Sequence, residues 1–555
     1  MNKPKTTVHN KTSFTLSIIF MISISASIPF IFSTAVGAEA ASTTHYVSPT
    51  GSDSNNGTSA STPWKTIAHV NSVNFLAGTT ILFQGGSTFS GELYFAPGES
   101  GTSSNPITVS SYGKGYATIA GGSGSAIYAY DSAGFDINDL YLKGSGAGNN
   151  TGAGINVYND DSGNTILNYL YVNNVTASGF ENGFALGGAN GGSGYNDVTV
   201  TNSTFDNNQL AGLITYGPTF NPSSPVYVNQ DIYAGNVTAY DNLGNSSLTG
   251  PNDSGNGIVL GSTENSYIYD SIAYDNGANC KASACGVGIW AYNSYNDFIE
   301  YNQSYNNHTG GSADGDGFDL DQNTSDSVMQ YNYSHGNAGS GFLLFGETGN
   351  NSHTGNTVRF NISQNDGRKN NYGAIELYGT VAGDSIYSNT IYVSPSSGAK
   401  PSGVYVEGLG TGQSIIRNNI IYTTGGTYPV IVPTSATPLT LDFQQNDYPN
   451  FIAYWGASTY TSLRAWQSAT GEEELSGIAV GYTVNPDLSN AGNGGTITGG
   501  YSPSQLPQYQ LASGSSPMKN TGINLGSVFG TNIGSTDYYG TTVPSSSGLS
   551  IGAAE

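Results

Sequence analysis

The sequence predicts an all-β solenoid, in which short strands coil repeatedly around one long core. Three observations point to it. Helix formers are scarce: only 9% of the 555 residues are charged, whereas Gly (77) and Tyr (39) abound, a mix that favours strands and turns. Polar corner residues recur about every 28 to 34 positions through the centre of the chain. Five-residue strands with apolar side chains at alternate positions recur between them at a similar interval.

The corner series runs Asn174, Asn202, Asn236, Asp270, Asn302, Asn332, Asn361, Asn389 and Asn419, inside alternating stretches such as NDFIEYNQSYNN and NTVRFNISQND. The interleaved strands include AIYAY (126–130), GINVY (154–158), GIWAY (288–292), GFDLD (317–321), GFLLF (341–345), AIELY (374–378) and GVYVE (403–407). A period near 30 is too short for a propeller blade. One coil cannot bury its own apolar residues, but stacked coils can. Stacking joins each strand to the one above at about 4.8 Å and sets the corner asparagines in a ladder of amides. The series is expected to be structural.

The two ends differ from this body. Residues 1–41 place Lys3, Lys5 and Lys11 before an apolar run and the small residues STAVGAEAA, the order of a signal peptide. Residues 42–430 form the repeat domain. Residues 431–555 lack the regular repeat and are expected to be final coils and a C-terminal cap, since a solenoid's open end needs covering. TSLRAWQSATG predicts a helix there with Leu463, Trp466 and Ala469 on one buried face.

Charge excludes one class of partner. The formal net charge is −24, and removal of residues 1–38 with their three lysines makes it −27. Nucleic acid binding needs a basic face, and this chain has none. No other run is long and apolar enough to span a bilayer, so after signal cleavage a secreted, extracellular monomer is expected. Cys280 and Cys285, in NCKASACG, lack nearby histidines and are expected to form a local disulfide after export.

The GΦxΦx strands with YN corners resemble the right-handed parallel β-helix proteins of the pectin-lyase-like superfamily. The opening THYVSPTGSDSNNGTSASTPWKTIAHV (44–70) and the late STYTSLRAWQSATG (458–471) also resemble their N- and C-terminal segments. The resemblance implies a right-handed parallel β-helix. It leaves the chemistry open, because that fold hosts hydrolases, lyases, epimerases, esterases and adhesins.

In such a strand the Φ positions point inward and the x positions outward. One outward column reads Val259, Trp290, Asp319, Leu343, Glu376, Tyr405; the next reads Gly261, Tyr292, Asp321, Phe345, Tyr378, Glu407. Rings at Trp290, Tyr292, Phe345, Tyr378 and Tyr405 beside carboxylates, Glu407 included, suit a sugar-binding groove. If loops 276–287 and 306–316 cover this face, the rings are ordinary core instead. Asp319 and Asp321 should lie roughly 6.5–7 Å apart at Cα, and Asp319 and Glu376, two coils apart, about 9–10 Å. Both separations favour an inverting glycoside hydrolase, whose carboxyls stand about 6.5–9.5 Å apart.

Two alternatives stand beside it. DGF at 316–318 resembles the DGF of family-nine polysaccharide lyases, but Asp321 occupies the place of their catalytic lysine, and SGF at 340–342 replaces their acidic calcium-binding triplet. Arg368 and Lys369, in NDGRKNN, are the remaining basic candidates for elimination, with calcium as helper. A noncatalytic adhesion β-helix needs no chemistry at all. No cofactor is required for hydrolysis; Asp314 and Asp316 could hold a structural Ca²⁺, although DGDGFDLD is no EF-hand.

Overall fold

Every coil begins with a strand that pairs in parallel with its counterpart one coil earlier. The computed structural model describes residues 43–347, 352–408, 412–434, 441–512, 514–545 and 548–555; the expected signal peptide lies outside the described residues. Two long sheets result. A 14-stranded sheet runs from Leu93–Phe95 to Ser458–Tyr460, parallel except for its last pair, and a 25-stranded sheet forms the rest of the wall. This is the predicted parallel β-helix.

The inner columns are continuous. Ile258, Ile289, Phe318, Phe342, Ile375, Val404 and Val430 lie in strict register, and all are buried. Phe318 and Phe342 stack at 5.1 Å. Each such side chain removed from water contributes about 1.5–3 kcal/mol, which makes this core the main source of stability.

The corners correct the predicted ladder by one residue. Asn174, Asn202, Asn236 and Asp270 adopt positive φ, a conformation Asn and Asp tolerate better than most residues. The ladder position is the residue that follows each of them. Ser271 donates its backbone N–H to Asn302 Oδ1 at 2.8 Å, so Ser271, not Asp270, stands over Asn302. From there Asn302, Asn332, Asn361, Asn389, Asn419 and Asn446 form the expected ladder: each Oδ1 from Asn332 onward accepts from the backbone and side-chain amides of the preceding Asn. The left-handed corner is then filled by Tyr301, Tyr331, Phe360, Ser388 and Asn418. A second ladder, not anticipated, joins Asn208, Asn242, Asn276, Asn307 and Asn337 and ends on Asp366 Oδ1 at 2.8 Å.

The helix Leu463–Thr470 closes the last coils. Ser462 Oγ caps it by accepting from the Ala465 N–H, and Gly471 ends it at φ 81°. Trp466 is fully buried against Phe443, Tyr448, Phe451 and Trp455. Leu463 is only partly buried and Ala469 is exposed, so the predicted buried face shrinks to one indole, large enough to plug the opening alone.

Residues beyond Tyr482 do not stay at that end. They lie back along the side of the coils. Tyr501 N–H donates to Asp270 Oδ1 at 2.9 Å, its hydroxyl to Tyr331 O at 2.7 Å, and Arg359 binds Asn532 O at 2.5 Å. Tyr331, Phe360, Tyr387, Tyr509, Leu525 and Tyr538 form one apolar cluster there. The tail thus covers aromatic side chains that the corner positions would otherwise leave in water.

Candidate functional site

The strands Ile289–Tyr292, Phe318–Leu320, Phe342–Gly346, Gly373–Gly379 and Ser402–Val406 carry the predicted columns. Val259, Trp290, Asp319, Leu343, Glu376 and Tyr405 are successive partners. Gly261 pairs with Tyr292 and Phe345 with Tyr378. The register assumed from the sequence, with Ile375 on Phe342, is the observed one.

Exposure differs from the expectation. Trp290 is 3% and Tyr292 4% exposed, so these two rings do not line an open groove. They pack with Ile214, Tyr216, Val259 and Val287 in a small outer core. Tyr292 leans over the preceding coil so closely that a Cβ on Gly261 would come within 2.3 Å of its ring. Trp290 Nε1–H donates to Asn256 Oδ1 at 2.9 Å. Phe345, Tyr378 and Tyr405 remain partly exposed, with Phe345 and Tyr378 stacked at 5.3 Å.

Asp319 and Glu376 are 3% and 2% exposed. Glu376 Oε2 accepts from Ser340 Oγ–H at 3.0 Å and from Gly373 N–H at 3.1 Å. Burial, reinforced by Glu407 and Asp316, raises its pKa well above the usual carboxylate range. Asp321 lies just past its strand, where its Oδ1 accepts the Gln322 N–H at 2.5 Å. Burial pushes it to about 7; Asp314 and Asp253 add to the rise and His353 opposes it. The acids therefore form two neighbouring groups, Glu376 with Asp316 and Glu407, and Asp321 with Asp314 and Asp253.

Several residues that the sequence did not mark belong to this region. Tyr372 accepts from the Asp314 backbone N–H at 3.3 Å, and its phenol is raised by burial, then by Asp314, Glu376 and Asp316. Asp253, pushed to about 7 mainly by burial, accepts from Asn256 Nδ2 at 2.8 Å, the residue that also holds Trp290. His353 reaches the Asp321 backbone oxygen through Nδ1 at 3.2 Å and lies 3.5 Å from Asp384. None sits in a recurring motif; only the stacking of distant loops makes them neighbours.

The basic pair points elsewhere. Arg368 donates to the backbone oxygens of Asp366, Ser394 and Pro395, and exposed Lys369 binds Thr309 O. Asn370 holds Asp314 O at 3.0 Å. Lys369 and Asn370 tie the loop before Gly373 to the loop around Asp314, whereas Arg368 ties it to Ser394 and Pro395. The cation expectation meets a similar competition. Asp314 Oδ2 accepts the Cys285 N–H at 2.5 Å and Asp316 Oδ1 accepts the Ser340 N–H. Among the described residues no group of three or more His, Cys, Asp or Glu side chains converges as a metal site would. One oxygen of each acid is thus taken by a backbone amide. Cys280 and Cys285 form the expected disulfide, with Cα atoms 5.6 Å apart, which fixes the loop that presents the Cys285 amide.

The chain is a parallel β-helix. Its motif resemblance to the pectin-lyase-like superfamily holds at the level of architecture. No family model matches the chain. It is 23% identical over 472 residues to the lacto-N-biosidase of Bifidobacterium longum subsp. longum, a match covering 68% of this chain and 28% of that protein. The chain therefore spans less than a third of that relative's length. Among solved structures it is similar to a GH136 lacto-N-biosidase from Eubacterium ramulus (TM-score 0.48, 16% identity, 67% of each chain). It is also similar to pectate lyase Pel9A (TM-score 0.40, 17% identity, 93% of this chain and 96% of that one). Among the described residues no helix is long and apolar enough to cross a membrane.

Proposed function

We propose that this chain is an exported glycoside hydrolase that cleaves an uncharged oligo- or polysaccharide with an Asp–Glu pair. The observation that carries the reading is Glu376: a hydrogen-bonded carboxyl made a weaker acid by burial, in the same outward column as Asp319 and next to the partly exposed Tyr405. In this reading Glu376 protonates the leaving glycosidic oxygen. Asp319, with Asp321 beside it, takes a proton from the attacking water, so that the water oxygen bonds to the anomeric carbon as the old bond breaks. A column separation of two coils, about 9–10 Å at Cα, supports inversion. The sequence likeness to a lacto-N-biosidase supports glycosidic chemistry.

Substrate charge follows from the same residues. The groups that act on Glu376 and Asp321 are acidic apart from His353, so a uronate would meet like charge. Arg368 and Lys369 are engaged with backbone oxygens, which weighs against elimination with either as base. Export is supported by the basic, apolar, small-residue order of residues 1–41 and by the disulfide. The proposed unit is a monomer, since one chain supplies the whole column.

Incubation with a panel of neutral and uronate polysaccharides tests the proposal. New reducing ends without the ultraviolet absorbance of an unsaturated uronate are expected from a neutral substrate. That absorbance would install the lyase reading instead, and binding without any product would install the adhesin.

A further inference from the structure

On the same outward face, nearer the N-terminus, lie four tyrosines that the proposed chemistry does not use. Tyr94 pairs with Tyr128, and Tyr130 with Tyr158, on the strands Leu93–Phe95, Ile127–Tyr130 and Ala153–Asn159. All four are partly exposed, as is Asn156 beside them. Their rings form one contiguous surface: Tyr94 to Tyr128 is 5.6 Å, Tyr128 to Tyr130 is 6.1 Å, and Tyr130 stacks on Tyr158 at 6.1 Å.

The rim is polar and acidic. Tyr130 donates its hydroxyl to Asp160 Oδ1 at 2.7 Å, and the Asp160 backbone N–H donates to Asp131 Oδ1 at 2.8 Å. The carboxylates acting on these phenols are Glu92, Glu99, Asp131 and Asp160, with no cation among them. Partly exposed rings offer flat apolar area, while the carboxylates and Asn156 offer acceptors around it. That combination matches the C–H faces and donor hydroxyls of a sugar and repels polyanions.

Register fixes where this surface lies relative to the acids. Tyr128, Asn156, Ala185, Ile214, Val259, Trp290 and Asp319 are successive partners in one column. Six coil spacings separate Tyr128 from Asp319, about 29 Å at ~4.8 Å each. We infer that Tyr94, Tyr128, Tyr130 and Tyr158 form a second saccharide-binding site, which holds an uncharged glycan chain on the face that carries Asp319 and Glu376. The site shares with the proposed function the premise that this face takes saccharide, but it needs no catalysis. Holding one part of a polymer raises the local concentration of the rest at the acids.

Electrophoresis of the whole chain through native gels containing hydroxyethylcellulose, galactomannan or xylan tests the site, with polygalacturonate as the charged comparison. At least one neutral gel is expected to cut mobility twofold or more. Tyr128→Ala with Tyr158→Ala should restore it, and Tyr158→Phe, which keeps the ring, should not. The Asp319→Asn variant should be retarded like the parent, so an error in the catalytic assignment leaves this readout untouched. Equal retardation of the double alanine variant, or none in any neutral gel, overturns the inference. So does a light-scattering mass showing that the parent pairs with a second copy through this patch and the double variant does not. A thermal melt of each variant confirms that it is folded.

Discussion

Asp319 and Glu376 occupy one outward column of the shorter sheet, with Leu343 on the single coil between them. Both are buried, and the amide isosteres keep their shape. Asp319→Asn and Glu376→Gln are each expected to lower kcat/KM by about 10²–10⁴-fold with little change in Tm. Steady-state kinetics beside a calorimetric scan checks both halves. Full activity in both variants would remove the pair from the mechanism.

Stability should fall as the solution becomes alkaline. Burial raises Asp297, Asp321, Asp447 and Glu473 to about 7 and Glu472 to about 8. A carboxyl raised in the folded state favours folding below its unfolded value near 4, and that contribution is lost as pH rises through its folded value. Tm is expected to be highest near pH 4 and to drop by several degrees by pH 8.5. Glu376→Gln should gain on the parent at high pH and match it near pH 4. A flat Tm across this range would show that these groups ionise freely in the fold.

The corner ladder is open to a single substitution. Asn332 accepts from the Asn302 backbone and side-chain amides at 2.9 and 3.1 Å, and donates to Ile299 O at 2.7 Å and Asn361 Oδ1 at 3.1 Å. Asn332→Ala would leave several buried groups unmatched, at about 1–3 kcal/mol each. Urea denaturation should report a total loss of about 3–5 kcal/mol. Asn332→Asp keeps the acceptor and loses the donors, and should fall between.

Arg359 links the coils to the returning tail through Gln330 at 2.8 Å, Tyr387 at 3.0 Å and Asn532 at 2.5 Å. Arg359→Ala is expected to expose the segment beyond Tyr482 to limited proteolysis at least tenfold faster than in the parent. The coils themselves should stay resistant. Unchanged cleavage would mean that the aromatic cluster alone secures the tail.

Chelation offers a further check. Asp314 and Asp316 are engaged with backbone amides, so EDTA is expected to change neither Tm nor hydrolysis. A Tm shift restored by Ca²⁺ would assign the acids to a cation after all.

The legible part of this protein is its periodicity. Strand register across Asp319, Leu343 and Glu376 follows from aligning GFDLD, GFLLF and AIELY, because a period of two leaves only one face for each side chain. The ladder was legible to within one residue. Asp270 and Asn302 look alike in sequence, yet one fills a left-handed corner and the other hydrogen-bonds between coils. Cover was legible only in part: loop 276–287, which could cover this face, supplies Val287, but Asn256 and Tyr216, which also enclose Trp290, belong to other coils. The association of Tyr372, Asp253 and His353 with the acids was hidden for the same reason.

The disposition of Tyr128 and Asp319 along one parallel stack has a consequence for how such a chain can change. Insertion or removal of a complete turn would lengthen or shorten the gap between them by one sheet spacing, about 4.8 Å, while both continued to face the same way. An insertion of half a turn would swing every downstream side chain to another wall. The rod thus behaves as a ruler with fixed graduations, on which length can be edited only in whole divisions.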